Sequence, residues 1–191
     1  MKGAEAILSH CKVLGLPAVE KYRVEKKYRV SKLDLKIRAE RTRREARLLH
    51  RAKSAGVLCP LVYQTGEFFI RMKRLEGKTL HRELAKRKIS PAEIGSSARI
   101  LALLHNSNII HGDFTPANLM LTPRGMAIID FGLGYVSPDL EDKATDVLMM
   151  KKALGEKEGA RFVSAYSKFG GQRIADMVLE IEKRARYMER G

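Results

Sequence analysis

The chain has 191 residues, which suits one domain or two small lobes and excludes a large multidomain machine. Its 37 Lys and Arg against 22 Asp and Glu give a formal net charge of +15, and 45% apolar with 31% charged residues fits a packed core rather than a disordered tail. No run approaches the ~18 apolar residues of a spanning helix, and Glu5 interrupts the start before any long apolar region, so a soluble cytoplasmic protein without membrane attachment is expected.

Taken in order, residues 4–24 are short apolar runs broken by Leu14-Gly15-Leu16-Pro17, which predicts two or three tightly connected strands. Alternation puts Lys21 on the same side as Val19. Residues 33–55 lack Gly and Pro and end at Gly56, as a helix does, with an inward stripe of Ile37, Glu45, Leu48, Leu49 and Ala52. An acid on that stripe needs a partner. Strands are expected at 61–63 and 68–72, joined by Thr65-Gly66-Glu67, and the polar stretch 73–77 reads as a linker to a helix-rich remainder. Helices are then predicted at 80–88, at 90–106 with Ser90-Pro91-Ala92-Glu93 as its opening, at 142–154, at 158–168 and from about 173 onward. A strand-loop-strand region occupies 109–133 between them. Cys11 and Cys59 lie far apart outside any metal-binding spacing and are expected as buried reduced thiols.

Charge is unevenly distributed. Residues 20–53 hold 14 basic and 5 acidic side chains, and residues 71–99 hold 9 and 3. Residues 100–150 reverse the sign, with Arg124 and Lys143 against Asp113, Asp130, Asp139, Glu141, Asp142 and Asp146. An acidic island suits a divalent cation, while the basic excess suits a polyanion such as nucleic acid, bound through its phosphates. A solvated surface of ion pairs is the alternative source of such a composition.

The chemistry-bearing segment is His111-Gly112-Asp113-Phe114-Thr115-Pro116-Ala117-Asn118, followed twelve residues after Asn118 by Asp130-Phe131-Gly132 at the end of an apolar strand. Phosphoryl transfer needs a carboxylate beside the attacking oxygen, and a carboxamide and second carboxylate to hold magnesium against nucleotide phosphates. Asp113, Asn118 and Asp130 supply those groups in the order seen in protein-kinase-like catalytic and magnesium loops. Such a fold also pairs a strand lysine with a helix glutamate, and Lys21 with Glu45 fits that requirement ahead of Lys12, Lys26 and Lys27. Gly3, within Gly3-Ala4-Glu5-Ala6, is the one place for a glycine-containing phosphate loop.

These residues, with Lys27-Tyr28-Arg29, Leu33-Asp34, Arg41-Thr42-Arg43-Arg44-Glu45-Ala46, Gly56-Val57, Pro60 and Glu141-Asp142-Lys143-Ala144, resemble the small atypical kinase of the KEOPS complex. That complex helps make threonylcarbamoyladenosine in transfer RNA. The resemblance spans nearly the whole chain and implies a minimal bilobal kinase-like α+β fold, with an N-lobe over 1–72, a hinge at 73–77 and a reduced C-lobe over 78–191. It implies ATP and Mg2+ as ligands, Asp113 as catalytic acid/base with Lys21 on the phosphates, and Asn118 and Asp130 as metal ligands. Met72, Met120 and Ile129 would line the adenine pocket, and Lys73 to Leu75 would offer backbone to the base. The partners implied are a catalytic ASKHA-fold subunit, a small regulatory subunit and transfer RNA. An ATP-dependent serine/threonine kinase or ATPase is the activity implied; a nucleotide-bound adaptor and a RIO-type or small-molecule kinase are the alternatives.

Departures from ordinary protein kinases are legible too. Gly112 stands where an arginine docks a phosphorylated activation loop, and few residues separate Gly134 from the helix expected at 142, with no Ala-Pro-Glu after it. Activity should then need no loop phosphorylation, and peptide substrates should be hard to grip. Thr115 replaces a common lysine, and the basic C-terminal stretch from Lys183 is interrupted by Glu189, against a tail role in RNA contact.

Overall fold

The computed structural model describes residues 6–188. Gly3 therefore lies outside the described residues. Strands β1 (Ala6–Val13) and β2 (Leu16–Arg23) form an antiparallel hairpin, the two strands of the expected two or three. Leu14 (φ 49°) and Gly15 (φ 79°) both take the left-handed conformation, the turn whose twist matches that of paired strands. Helix α1 (Ser31–Ser54) follows, then β3 (Val62–Thr65) and β4 (Phe69–Lys73), giving a four-stranded sheet in the order β1-β2-β4-β3.

The buried face of α1 differs from expectation at its start. Glu45, Leu48, Leu49 and Ala52 are buried, but Ile37 is only half-buried and the inward positions of the first turns belong to Asp34, Arg38, Ala39 and Thr42. The polar ones are satisfied: Arg38 Nε donates to Asp34 Oδ2 at 2.6 Å, and Thr42 Oγ1 donates to the Arg38 carbonyl at 2.8 Å. The Arg38 guanidinium also lies 4.1 Å from the Phe68 ring centroid. Apolar periodicity alone does not reveal a stripe built from an internal ion pair.

Past β4 the chain turns helical. A two-residue strand, β5 (Lys78–Thr79), leads into α2 (Leu80–Leu84), shorter than the expected 80–88, because residues 85–87 close as turns on Glu83 and His81 while Ile89 turns inward. Helix α3 (Pro91–Asn106) opens on the expected capping box: Ser90 Oγ accepts from Glu93 N at 3.2 Å and Glu93 Oε2 accepts from Ser90 N at 2.8 Å. Short strands β6 (Ile109–Ile110), β7 (Leu119–Thr122), β8 (Gly125–Ile128) and β9 (Tyr135–Val136) frame the 109–136 region as β5-β7-β8 and β6-β9 sheets. Helices α4 (Leu140–Leu154), α5 (Glu156–Gly170) and α6 (Gln172–Met188) complete the fold.

One apolar core joins the two parts, from Leu48, Leu49, Ile70 and Met72 under the large sheet to Leu101, Phe114, Phe131, Val147 and Phe162 among the helices. Cys59 is buried and its thiol is pushed up to about 11 by burial, whereas Cys11 is half-buried; both are free thiols. Among the described residues no helix is long and apolar enough to cross a membrane.

Candidate functional site

The loop after β8 meets the inward faces of β2 and α1, and the loop after β6 packs against it. Lys21 and Arg23, two residues apart on β2, point to one side and are both buried, as period-two alternation requires. Lys21 Nζ donates to Glu45 Oε1 at 2.7 Å and to Asp130 Oδ1 at 2.5 Å, and Arg23 donates to Glu45 Oε2 at 2.5 Å. Glu45, 1% exposed, thus has a cation on each oxygen, which is what keeps a carboxylate at that depth. Arg23 is the partner that sequence reasoning missed, although its i, i+2 relation to Lys21 was the available signal. Lys12 and Lys27 are exposed on the surface.

Asp130 follows β8 with φ 61°, a left-handed conformation rare outside Gly, Asn and Asp. Its Oδ1 also accepts from Gly132 N at 2.9 Å, closing a tight turn. Partial burial pushes its carboxyl up, and the Lys21 ammonium with the Gly132 N–H more than offsets this, holding it below the usual carboxylate range. A side chain at Gly132 would meet Asp130 Oδ1 at 2.9 Å.

Across the cleft, Asn118 Nδ2 donates to the Asp113 carbonyl at 2.9 Å and to Asp113 Oδ2 at 2.8 Å. With Nδ2 donating to both Asp113 oxygens, the amide oxygen is the acceptor that remains. The backbone is held from below. Asp146 on α4 accepts from His111 N at 2.6 Å and Gly112 N at 2.8 Å, and His111 Nε2 lies 3.2 Å from the Ile129 carbonyl. The His111 ring packs 4.9 Å from Phe131 and 5.9 Å from Phe114, and burial holds both His111 and its neighbour His105 below the usual imidazole range. Gly112 sits at φ 75° with the Leu133 carbonyl oxygen 2.6 Å from where a Cβ would be, so no arginine can occupy that position in this loop.

The Glu141-Asp142-Lys143-Ala144 stretch acquires a physical role at the start of α4. Asp142 accepts from the Tyr135 hydroxyl at 3.0 Å, Lys143 donates to Asn108 Oδ1 at 2.8 Å, and Ala144 is fully buried. These contacts tie α4, and with it Asp146, to the strands flanking the loop. The acidic island does not gather as one site: among the described residues no three His, Cys, Asp or Glu side chains converge on a metal position. Two oxygen donors from different loops, Asn118 Oδ1 and the half-exposed Asp130 carboxylate, are instead the kind of sparse set that magnesium takes when phosphates and water complete its shell.

The expected adenine contacts come from three segments. Met72 is buried on β4 beside the core, while Met120 on β7 and Ile129 are half-buried. In the 73–75 stretch, Lys73 N–H donates to the Leu61 carbonyl at 2.7 Å and Arg74 N–H to the Pro17 carbonyl at 3.3 Å, which leaves the Leu75 N–H as the backbone donor not so engaged.

A family model described as the RIO domain matches residues 16–151. A probable serine/threonine-protein kinase, the BUD32 homolog of Archaeoglobus fulgidus, is 35% identical over 90% of this chain and 89% of its own length. A probable bifunctional tRNA threonylcarbamoyladenosine biosynthesis protein of Methanothermobacter thermautotrophicus is 35% identical over 98% of this chain, which spans only 36% of that relative. Among solved structures, the Rio2 kinase of Chaetomium thermophilum, captured as an ADP/Mg2+-phosphoaspartate complex, superposes with a TM-score of 0.66 over the whole chain and 70% of its own, at 15% identity. That likeness establishes the kinase-like α+β fold. On the strength of the domain match and of identity spread along nearly its full length, the chain belongs to the RIO-domain family, among the Bud32 homologues.

Proposed function

We propose that the chain is an Mg-ATP-dependent atypical serine/threonine kinase or ATPase that supports threonylcarbamoyladenosine modification of transfer RNA. The observation that carries this reading is Lys21 bridging Glu45 and Asp130 opposite an Asp113–Asn118 pair, which assembles a cation for phosphates, oxygens for a metal and a carboxylate for proton transfer. Residues 1–72 and 78–191 would act as lobes around the cleft, with 73–77 as hinge and the Leu75 N–H facing the base. Met72, Met120 and Ile129 would supply its apolar walls, and Lys73 would contribute through its carbonyl.

In this reading Lys21 holds the phosphates while Arg23 keeps Glu45 compensated. Asn118 and Asp130 would hold Mg2+, which when bound with ATP neutralises the charge that develops on the transferred phosphoryl group. Asp113 takes the proton from an acceptor hydroxyl or from water, and Asn118 fixes the orientation of its carboxylate. The names of the relatives support a role in transfer RNA modification, and in this reading the chain works beside a catalytic ASKHA-fold subunit and a small regulatory subunit.

The test is turnover of radiolabelled ATP with magnesium, separating free from protein-bound phosphate, for wild type and Asp113→Ala, with and without the KEOPS catalytic subunit and transfer RNA. Phosphate release stimulated by the partner and RNA, and reduced at least a hundredfold in Asp113→Ala, is expected. Wild-type turnover no higher than the variant's in every mixture would make the protein a nucleotide-bound scaffold.

A further inference from the structure

Several surface cations of this protein pair with a carboxylate, and others stand singly without one. Arg71 pairs with Glu20, Arg87 with Glu93, Lys151 with Glu182, Arg161 with Glu158 and Arg184 with Glu141. The solvent face of α1 is where such cations gather on one side of a single helix. Lys36, Arg43, Arg44, Arg47 and Arg51 are all exposed, and among the described residues none of them pairs with a carboxylate. At 100° per residue the five fall within about a third of the helix circumference, opposite buried Glu45, Leu49 and Ala52. Glu40 is the single exposed acid among them. From Lys36 to Arg51 the strip runs about 22 Å.

We propose that this face of α1 is a phosphate-docking strip for RNA. The partner class rests on the RNA-modification reading above and on the chemistry of the strip itself. Between Lys36 and Arg51 every exposed side chain is polar, so the face lacks the apolar centre on which a protein partner would anchor. A row of guanidinium groups without carboxylates, two of them bonded only to the Arg43 and Ser107 carbonyls, instead matches a phosphate backbone, whose neutralisation releases counterions. Just before the helix, Tyr28 is 77% exposed, with the Arg29 guanidinium 5.3 Å from its ring centroid. That loop is held to the helix: Asp34 accepts from Lys26 N at 3.3 Å and from Arg29 at 3.5 Å. An exposed aromatic ring at the end of a cationic strip offers a platform for an unpaired base. The inward face of the same helix carries Glu45, so one element connects the strip to the lysine of the cleft.

The test is fluorescence anisotropy of the full chain with a labelled, unmodified transfer RNA transcript across 50 to 300 mM KCl. Arg43→Glu/Arg47→Glu is compared with Lys157→Glu/Lys168→Glu, an equal charge reversal on α5, and Arg43→Gln/Arg47→Gln serves as the milder form should reversal disturb folding. The α1 variants are expected to weaken binding at least tenfold and to flatten the log-log salt slope by about 1.5, the contribution of two phosphate contacts. The α5 control should stay within threefold of wild type. Asp113→Ala should bind RNA as wild type does whether or not its turnover is lost, which separates failure of the strip from failure of the enzymatic reading. Equal effects of the α1 and α5 reversals would overturn the proposal, as would unchanged RNA affinity with lost binding to a polyglutamate probe, which would reassign the strip to an acidic protein.

Discussion

Two cations share one buried carboxylate on β2 and α1, and their roles separate on removal. Lys21→Ala takes away the ammonium that bridges to Asp130 and leaves Glu45 with Arg23 alone. ATP turnover is expected to fall by orders of magnitude, since a preorganised cation on transferring phosphates is worth several kcal/mol of barrier. Stability should change less than for an isolated buried charge, because Arg23 still compensates Glu45. Turnover that survives Lys21→Ala and vanishes in Lys26→Ala would show that a different lysine serves the phosphates. The principal residues of this cluster are legible in the chain because each belongs to a short pattern with fixed offsets. Asp113 and Asn118 share one loop, Asp130 opens a turn, and Lys21 and Glu45 are the lysine and acid on inward faces. Arg23 and Asp146 are harder to read. Arg23 offers only its i, i+2 relation to Lys21, which gives a side of β2 but not a partner, and nothing local to α4 shows that one aspartate accepts two backbone N–H groups from a loop 34 and 35 residues away.

At the scale of elements, local rules held where the local interaction is complete in itself. The capping box of α3 is such a case, and Ser90→Ala should lower stability by about 1 kcal/mol, measured as a shift in urea midpoint without change in slope. An unchanged midpoint would mean that Arg87, bonded to Glu93 at 2.6 Å, holds the helix entry by itself. That arginine, against the opposing effect of burial, brings the Glu93 carboxyl down to about 2. Helix α2 shows the converse. Its sequence continues with helix-forming Lys86, Arg87 and Lys88, yet Arg87 is drawn to Glu93 and Ile89 into the core, and the helix stops at Leu84. The first turns of α1 depart from apolar periodicity for a related reason: Asp34 and Arg38 neutralise each other inside, which frees them from the rule that buried stripes are apolar.

Two imidazoles are buried within the C-terminal part of the molecule. His105 sits between the Tyr166 hydroxyl at 2.7 Å and Asp146 at 3.4 Å, and His111 opens the 111–118 loop, both almost wholly buried. Burial depresses both, against the pull of Asp146, below the 6.5 of a free imidazole. The unfolded chain therefore binds more protons than the folded one once pH drops below about 6.5, and stability must fall as pH falls. Above that point both states hold neutral rings and the contribution is fully present. Each ring that stays neutral in the folded state while its unfolded counterpart takes up a proton adds to that loss. Lowered carboxyls such as Asp130 and Glu93 contribute in the same direction only further down, below about 4.5. Urea unfolding at pH 7.5, 6.5 and 5.5 should show little change over the first interval and a steep loss over the second, with His105→Gln reducing the steepness by about one proton. A protein equally stable at 7.5 and 5.5 would mean that the imidazoles are protonated in the fold, and that Asp146 holds the loop through a charged histidine instead of a neutral one.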